Sequence, residues 1–192
     1  MRVCKSNKNL LVAALFFCLT ENSAAGDRFV KIEQAKLTYQ QMAAATTVAT
    51  LSADLEFYLS ETASDALHSG ISLYWEVSVV LKQKHWSGWW YSTLLAQTNR
   101  YRLSYYTLFD HYRLKDEQAQ VFRRFSTLAE ALVYMRHLVY KDLPLPQYDA
   151  AQCVLATLKI SFDKEMLPAP LRPIAYFDKQ WDLSANERQW CD

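Results

Sequence analysis

The chain has 192 residues, with 21 lysines and arginines against 20 aspartates and glutamates and a net charge of +1, so it lacks the electrostatic footprint that nucleic-acid binding demands. That length suits one domain with a sizeable core. Only three glycines occur, which excludes a glycine-rich phosphate loop or a GxSxG elbow.

The N-terminus reads MRVCKSNKNLLVAALFFCLTENSAAGD. Arg2, Lys5 and Lys8 make a basic start, Leu10 to Leu19 an apolar stretch, and Ser23-Ala24-Ala25 a small-residue close. This is the pattern of a secretory signal peptide, residues 1–25, cleaved between Ala25 and Gly26. The apolar stretch is shorter than the roughly 20 residues that span a bilayer. An uncleaved anchor is the competing reading. A lipidated Cys18 is disfavoured by the bulky Phe17 before it. Residues 26–192 are then expected as one exported domain with no transmembrane segment.

Period-two alternation predicts the strands. Residues 29–39 alternate weakly, with a slip between Ile32 and Ala35 of the kind that a bulge makes. Residues 47–60 place Ala49, Leu51, Ala53, Leu55, Phe57 and Leu59 on one face. Ser60 or Thr62 then caps a short helix that stops at Gly70. In ISLYWEVSVVL, residues 71–81, Leu73, Trp75, Val77, Val79 and Leu81 point inward and Tyr74 and Glu76 outward. Continued in phase, this strand would put His85 on the apolar face and Trp86 on the other.

Strands are also expected over residues 99–109, burying Tyr101, Leu103 and Tyr105, and in HYRL and AQVFRRF around a polar turn at residues 115–118. Thr127 to Glu130 form a capping box, opening a second helix that carries Leu128, Ala131, Leu132, Met135, Leu138 and Val139 at helical spacing. Residues 153–163 are a strand with Val154, Ala156, Leu158, Ile160 and Phe162 inward. LPAPLRP, residues 167–173, holds three prolines and is expected as an extended edge. The fold expected is mainly β (α+β): an antiparallel β-sandwich of about seven strands with two short helices packed on it.

Few side chains advertise chemistry. His68, His85, His111 and His137 make no close metal-ligand spacing, and no cofactor is implied. KHWSGWWY, residues 84–91, gathers His85, Trp86, Trp89 and Trp90, which either close a core corner or form a platform for a ligand. Arg100, Arg102, Arg113, Arg123 and Arg124 are expected on an outward face, pairing with Glu56, Glu76 or aromatic rings, with an anion site as the alternative. The candidate binding residues are therefore His85, Trp86, Trp89, Trp90, Arg100 and Arg102. A Ser-His-Asp triad built from distant positions is compatible with the sequence but has no motif in its favour.

Removal of the leader takes Cys4 and Cys18, leaving Cys153 and Cys191 as the one pair available to a disulfide on the oxidising side of a membrane. A free thiol at Cys153 is the favoured alternative, because Cys191 sits beside the terminus where chains fray.

The blocks ALHSGISLYWEVSVV, GWW, YRLSYYTLFDHYRL, FSTLAEAL, LPAPLRP and WDLS stand in the order found in the bacterial "domain of unknown function 4390" family, and the chain resembles it from about Phe29 to Leu183. Ala185 and Asn186 after Ser184 depart from the family's aromatic-rich finish. The resemblance implies a Gram-negative envelope protein, periplasmic, with a membrane or periplasmic protein as partner, whose genes lie beside a membrane sensor kinase of the nitrogen-regulation type. It implies no catalytic residues. The function expected is a non-enzymatic interaction or ligand-binding module, accessory to such a kinase; the alternative is a periplasmic hydrolase using His85 or His111.

Overall fold

The structure, a computed structural model, describes residues 29–42, 47–84, 90–146 and 148–191. Among these residues nine strands form: β1 (Val30–Gln41), β2 (Thr47–Phe57), β3 (Leu73–Lys84), β4 (Tyr91–Tyr106), β5 (His111–Asp116), β6 (Val121–Phe125), β7 (His137–Leu145), β8 (Val154–Phe162) and β9 (Arg188–Cys191). Three α-helices accompany them, α1 (Glu61–His68), α2 (Leu128–Met135) and α3 (Leu171–Phe177). Strands β1, β2 and β7 make one sheet, and the other runs in the order β6-β5-β4-β3-β8-β9. Every neighbouring pair is antiparallel. The fold is mainly β within an α+β class.

The strict alternations become strands whose apolar residues share a single core. Leu51, Ala53, Leu55 and Phe57 of β2 face Leu73, Trp75, Val77, Val79 and Leu81 of β3 and Val154, Ala156, Leu158, Ile160 and Phe162 of β8, all buried. The two sheets meet where the rings of Phe57 and Trp75 pack edge to face, 5.2 Å between centroids. The slip expected in β1 is a register shift against β2 between Ile32 and Gln34. Ser60 caps α1 by accepting from the amide of Ala63 at 3.1 Å. Gly70 ends the turn after it at φ +88, a left-handed conformation that side-chain-bearing residues rarely adopt.

Several sequence expectations need correction. The strand count is nine among the described residues rather than seven, because β7 and β9 carry weak alternation. The second helix stops at Met135, and Leu138 and Val139 belong to β7 instead. Helical spacing and strand alternation overlap at that junction, and pairing with β2 decides it: Leu138 lies opposite Ala53 and Tyr140 opposite Leu51. Pro144 is tolerated in β7 because the strand lies at the edge of its sheet.

LPAPLRP is not an extended edge. Its second half opens α3, with Pro170 at the N-cap and Pro173 in the first turn, where a missing N–H breaks no helical bond. Finally, the β5–β6 turn spans residues 117–120, two positions later than expected. Asp116 is the reason, since its Oδ1 accepts from the amides of Gln118 and Ala119 at 2.9 and 3.0 Å.

The segment after β8 covers one end of the core. Trp75 Nε1 donates to the Leu183 carbonyl at 3.1 Å, Phe162 N donates to Ser184 Oγ at 2.9 Å, and Trp181 and Leu183 are buried. Strand β9 then lies along β8. Cys153 and Cys191 are joined there by a disulfide, with Cα atoms 5.9 Å apart. The favoured free thiol at Cys153 is thus not what the structure holds. Pairing of Leu155 with Cys191 anchors the last residues of β9, which removes the fraying on which that expectation rested.

Candidate functional site

The candidate binding residues do not form one cluster. His85, Trp86 and Trp89 lie outside the described residues, as do Ala25 and Gly26. Trp90 stands 72% exposed just before β4. Arg100 and Arg102 are far along β4, about 30 to 40 Å away at ~3.3 Å per residue. Both are engaged. Arg100 pairs with Glu76, the residue opposite it on β3, and lies 3.5 Å from Asp163. Its hydrogen bond to Glu76 raises the guanidinium pKa above the ordinary value. Arg102 stands opposite Tyr74 of β3 and lies 3.3 Å from Glu117.

A cavity of about 210 Å³ lies instead between the two sheets, where edge strand β7 faces β5 and β6. Phe57, Trp75, Val77 and Ile160 provide its apolar depth. Its mouth is bounded by Val121 and Arg123 of β6, His137 and Val139 of β7, and Tyr134 near the end of α2, all exposed. The alternation of β6 explains Arg123: it lies opposite Leu114 of β5, in the inward phase, where an aliphatic residue would be usual.

Polar groups at the cavity are few and mostly committed. Asp116 is held by the two turn amides already described. His137 Nδ1 lies 2.7 Å from Asp54 Oδ1, across the β2–β7 ladder. The Arg123 guanidinium lies 4.9 Å from the centre of the Tyr134 ring and has no carboxylate partner among the described residues. One cation therefore stands available at the rim of an apolar space.

Deeper in, the hydroxyls of Tyr101 on β4 and Tyr140 on β7 meet at 3.1 Å and tie the sheets together. Burial raises the pKa of both phenols above 10.0, because the phenolate would lose its hydration. A phenol raised in the folded state contributes stability below its unfolded pKa and loses it as pH climbs beyond that value. Unfolding free energy should accordingly fall above about pH 10, and Tyr140→Phe should make that fall shallower. Denaturant melts between pH 8 and 11 measure it; identical slopes for both proteins would show that this pair plays no part.

The remaining histidines are structural in their contacts. His68 Nε2 lies 2.6 Å from the Tyr112 hydroxyl. His111 stacks on Tyr106 with centroids 5.3 Å apart and contacts Phe109, with neither a carboxylate nor a hydroxyl hydrogen-bonded to its ring. Among the described residues no three His, Cys, Asp or Glu side chains gather as a metal site requires. No described helix is long and apolar enough to cross a membrane.

The family model described as Domain of unknown function (DUF4390) matches residues 32–191. The chain belongs to that family. No curated protein and no solved structure matches it. The matched span runs from within β1 to the end of β9, so both sheets, α1 to α3 and the cavity all lie inside the DUF4390 region. Sequence reasoning missed this site because its parts come from seven strands, β2 to β8, and from α2. One signal was legible: an arginine at 123 in the apolar phase of VFRRF.

Proposed function

We propose that this DUF4390 protein is a non-enzymatic binding module of the periplasm, whose cavity between the sheets takes a small ligand with an apolar body and an anionic end. The observation that carries the reading is the cavity itself, apolar in depth with an uncompensated cation at its mouth. An apolar protein cavity of about 150 Å³ accommodates benzene, so about 210 Å³ suits a single ring or a short acyl chain. Arg123 would meet a carboxylate at the rim, where a charge-assisted hydrogen bond is stronger than a neutral one. The signal-peptide pattern of residues 1–25 supports the periplasmic setting. An accessory role to a membrane sensor kinase follows if occupancy alters the surface around α2 and β7, which a partner could read.

Catalysis has less support. The hydrolase alternative would need His85, outside the described residues, or His111, whose ring contacts are aromatic.

Titration with benzoate and octanoate, followed by isothermal calorimetry, tests the reading. Saturable binding is expected, weakened at least tenfold by Arg123→Gln and abolished by Leu138→Trp, which fills the space from β7. Loss of binding with an unchanged melting temperature would support the assignment. No response to either carboxylate, or equal binding by the Leu138→Trp protein, would reject it.

A further inference from the structure

The outward face of the larger sheet holds two kinds of arginine. Arg100 and Arg102 have carboxylate partners, and Lys115 joins Glu117 at 3.2 Å. Arg113 and Arg124 do not. They lie directly opposite each other on β5 and β6, an arrangement of like charges that is destabilising unless something offsets it. Both guanidinium groups sit over the Phe122 ring, at 4.0 and 5.6 Å from its centre, and Arg113 Nη1 also donates to the Tyr106 hydroxyl at 3.4 Å. Neither has a carboxylate within reach among the described residues, and the Nε of Arg113 is buried without a partner. Tyr106, Phe109 and His111 complete a surface pocket with the two arginines. No carboxylate lines it.

The turn between β4 and β5 borders this pocket and is apolar at its tip. Leu108 is 91% exposed and Phe109 73%. Asp110, the acidic residue of the turn, accepts from the Tyr105 hydroxyl at 2.8 Å and is absent from the pocket wall. The same end of the molecule carries α3 beyond the end of β8, with Tyr176 and Phe177 exposed. Exposed apolar side chains grouped with unneutralised arginines mark an interaction surface.

We propose that this hairpin end docks on an anionic phospholipid surface, with Leu108 and Phe109 entering the interface and Arg113 and Arg124 holding lipid phosphate. A free phosphate would need the arginines alone. The exposed Leu-Phe tip gains only where an apolar phase adjoins the charged layer, which is the arrangement at a bilayer surface. Tyr106, exposed between the tip and the arginines, sits where an amphipathic ring suits the headgroup level.

Flotation of the purified mature chain, residues 26–192, with vesicles tests it, because the apolar leader would bind vesicles by itself. Recovery is expected with phosphatidylcholine vesicles containing phosphatidylglycerol and not with phosphatidylcholine alone, and it should fall as salt rises. Arg113→Gln with Arg124→Gln should lower the vesicle partition about thirtyfold. Leu108→Ser with Phe109→Ser should lower it on the same vesicles without reducing the melting temperature, since both side chains are exposed. Arg100→Gln, whose partner is Glu76, should change little. Should the doubly neutralised protein melt early, Arg113→Lys with Arg124→Lys keeps the charge and is expected to retain binding. Equal recovery on both vesicle types, or none on either, would overturn the proposal. So would binding of inorganic phosphate or hairpin-dependent capture of a protein with no vesicle binding.

Discussion

Replacing Trp75 with alanine should destabilise the protein by about 3 to 5 kcal/mol, the range for removing a large aromatic from a packed core. Three separate losses combine at this side chain. Its ring packs against Phe57 of the other sheet and against Phe162 at 5.4 Å, so an alanine would leave a void between the sheets. Its Nε1 donates to the Leu183 carbonyl, which would be left as a buried acceptor without a partner. Release of Leu183 would also loosen the segment that covers this end of the core. For a chain of this size the melting midpoint should fall by roughly 10 °C or more. Tyr74, next in sequence but on the outward face beside Arg102, should cost about 1 kcal/mol or less on the same change. Equal shifts for the two variants would contradict the register of β3.

Opening the disulfide between Cys153 and Cys191 is the second large effect. A loop of 38 residues corresponds to roughly 4 kcal/mol in the chain-entropy model. Cys153→Ser with Cys191→Ser, or reductant added to the unaltered protein, should lower the melting midpoint by a similar amount. Local opening should be largest at the Cys191 end of β9, which is otherwise held by one short ladder to β8 and, at its other end, by Arg188 donating to the carbonyls of Ile32 and Glu33. Labelling of the denatured, unreduced chain gives an independent reading. A protein cleaved after Ala25 should show no free thiol, whereas two labelled thiols and a melting curve indifferent to reductant would mean that the bond does not form.

The parts of this fold legible in sequence are those where burial alone sets the pattern. Strands β2, β3 and β8 lie at the centre of the core, and β3, β8 and β2 from Ala49 onward alternate because a one-residue slip would turn every apolar side chain outward. Legibility fails where two periodicities share residues. The run from Leu128 to Val139 satisfies a helix throughout, and only the partner strand shows that it turns extended at His137. Prolines misled for a related reason: Pro170 and Pro173 bar a central strand but are compatible with the first turn of α3.

The candidate site was harder still. Whether an arginine is neutralised depends on residues far away in sequence. Glu76 and Asp163 neutralise the charge of Arg100, while Arg113 and Arg124 meet each other across a hairpin. Residue identity is the same in each case, and only the pairing of β3, β4, β5 and β6 separates them. The cluster around Trp90 was conspicuous by composition, yet Trp90 itself faces solvent about 30 to 40 Å from the arginines with which it was grouped.

The placement of β7 also governs the order in which the molecule can assemble. Strand β2 is made early but has β7 as its second neighbour, so Leu51 must wait for Tyr140 and Ala53 for Leu138. The four consecutive strands β3 to β6 close by local hairpins in the meantime. Until β7 emerges, the β1–β2 hairpin carries an apolar face and an unsatisfied edge, a combination prone to pairing with another chain. Pairings this remote in sequence make for slow folding. The β1–β2 hairpin is therefore a vulnerable stage, and the one at which a holding chaperone would have an edge to protect.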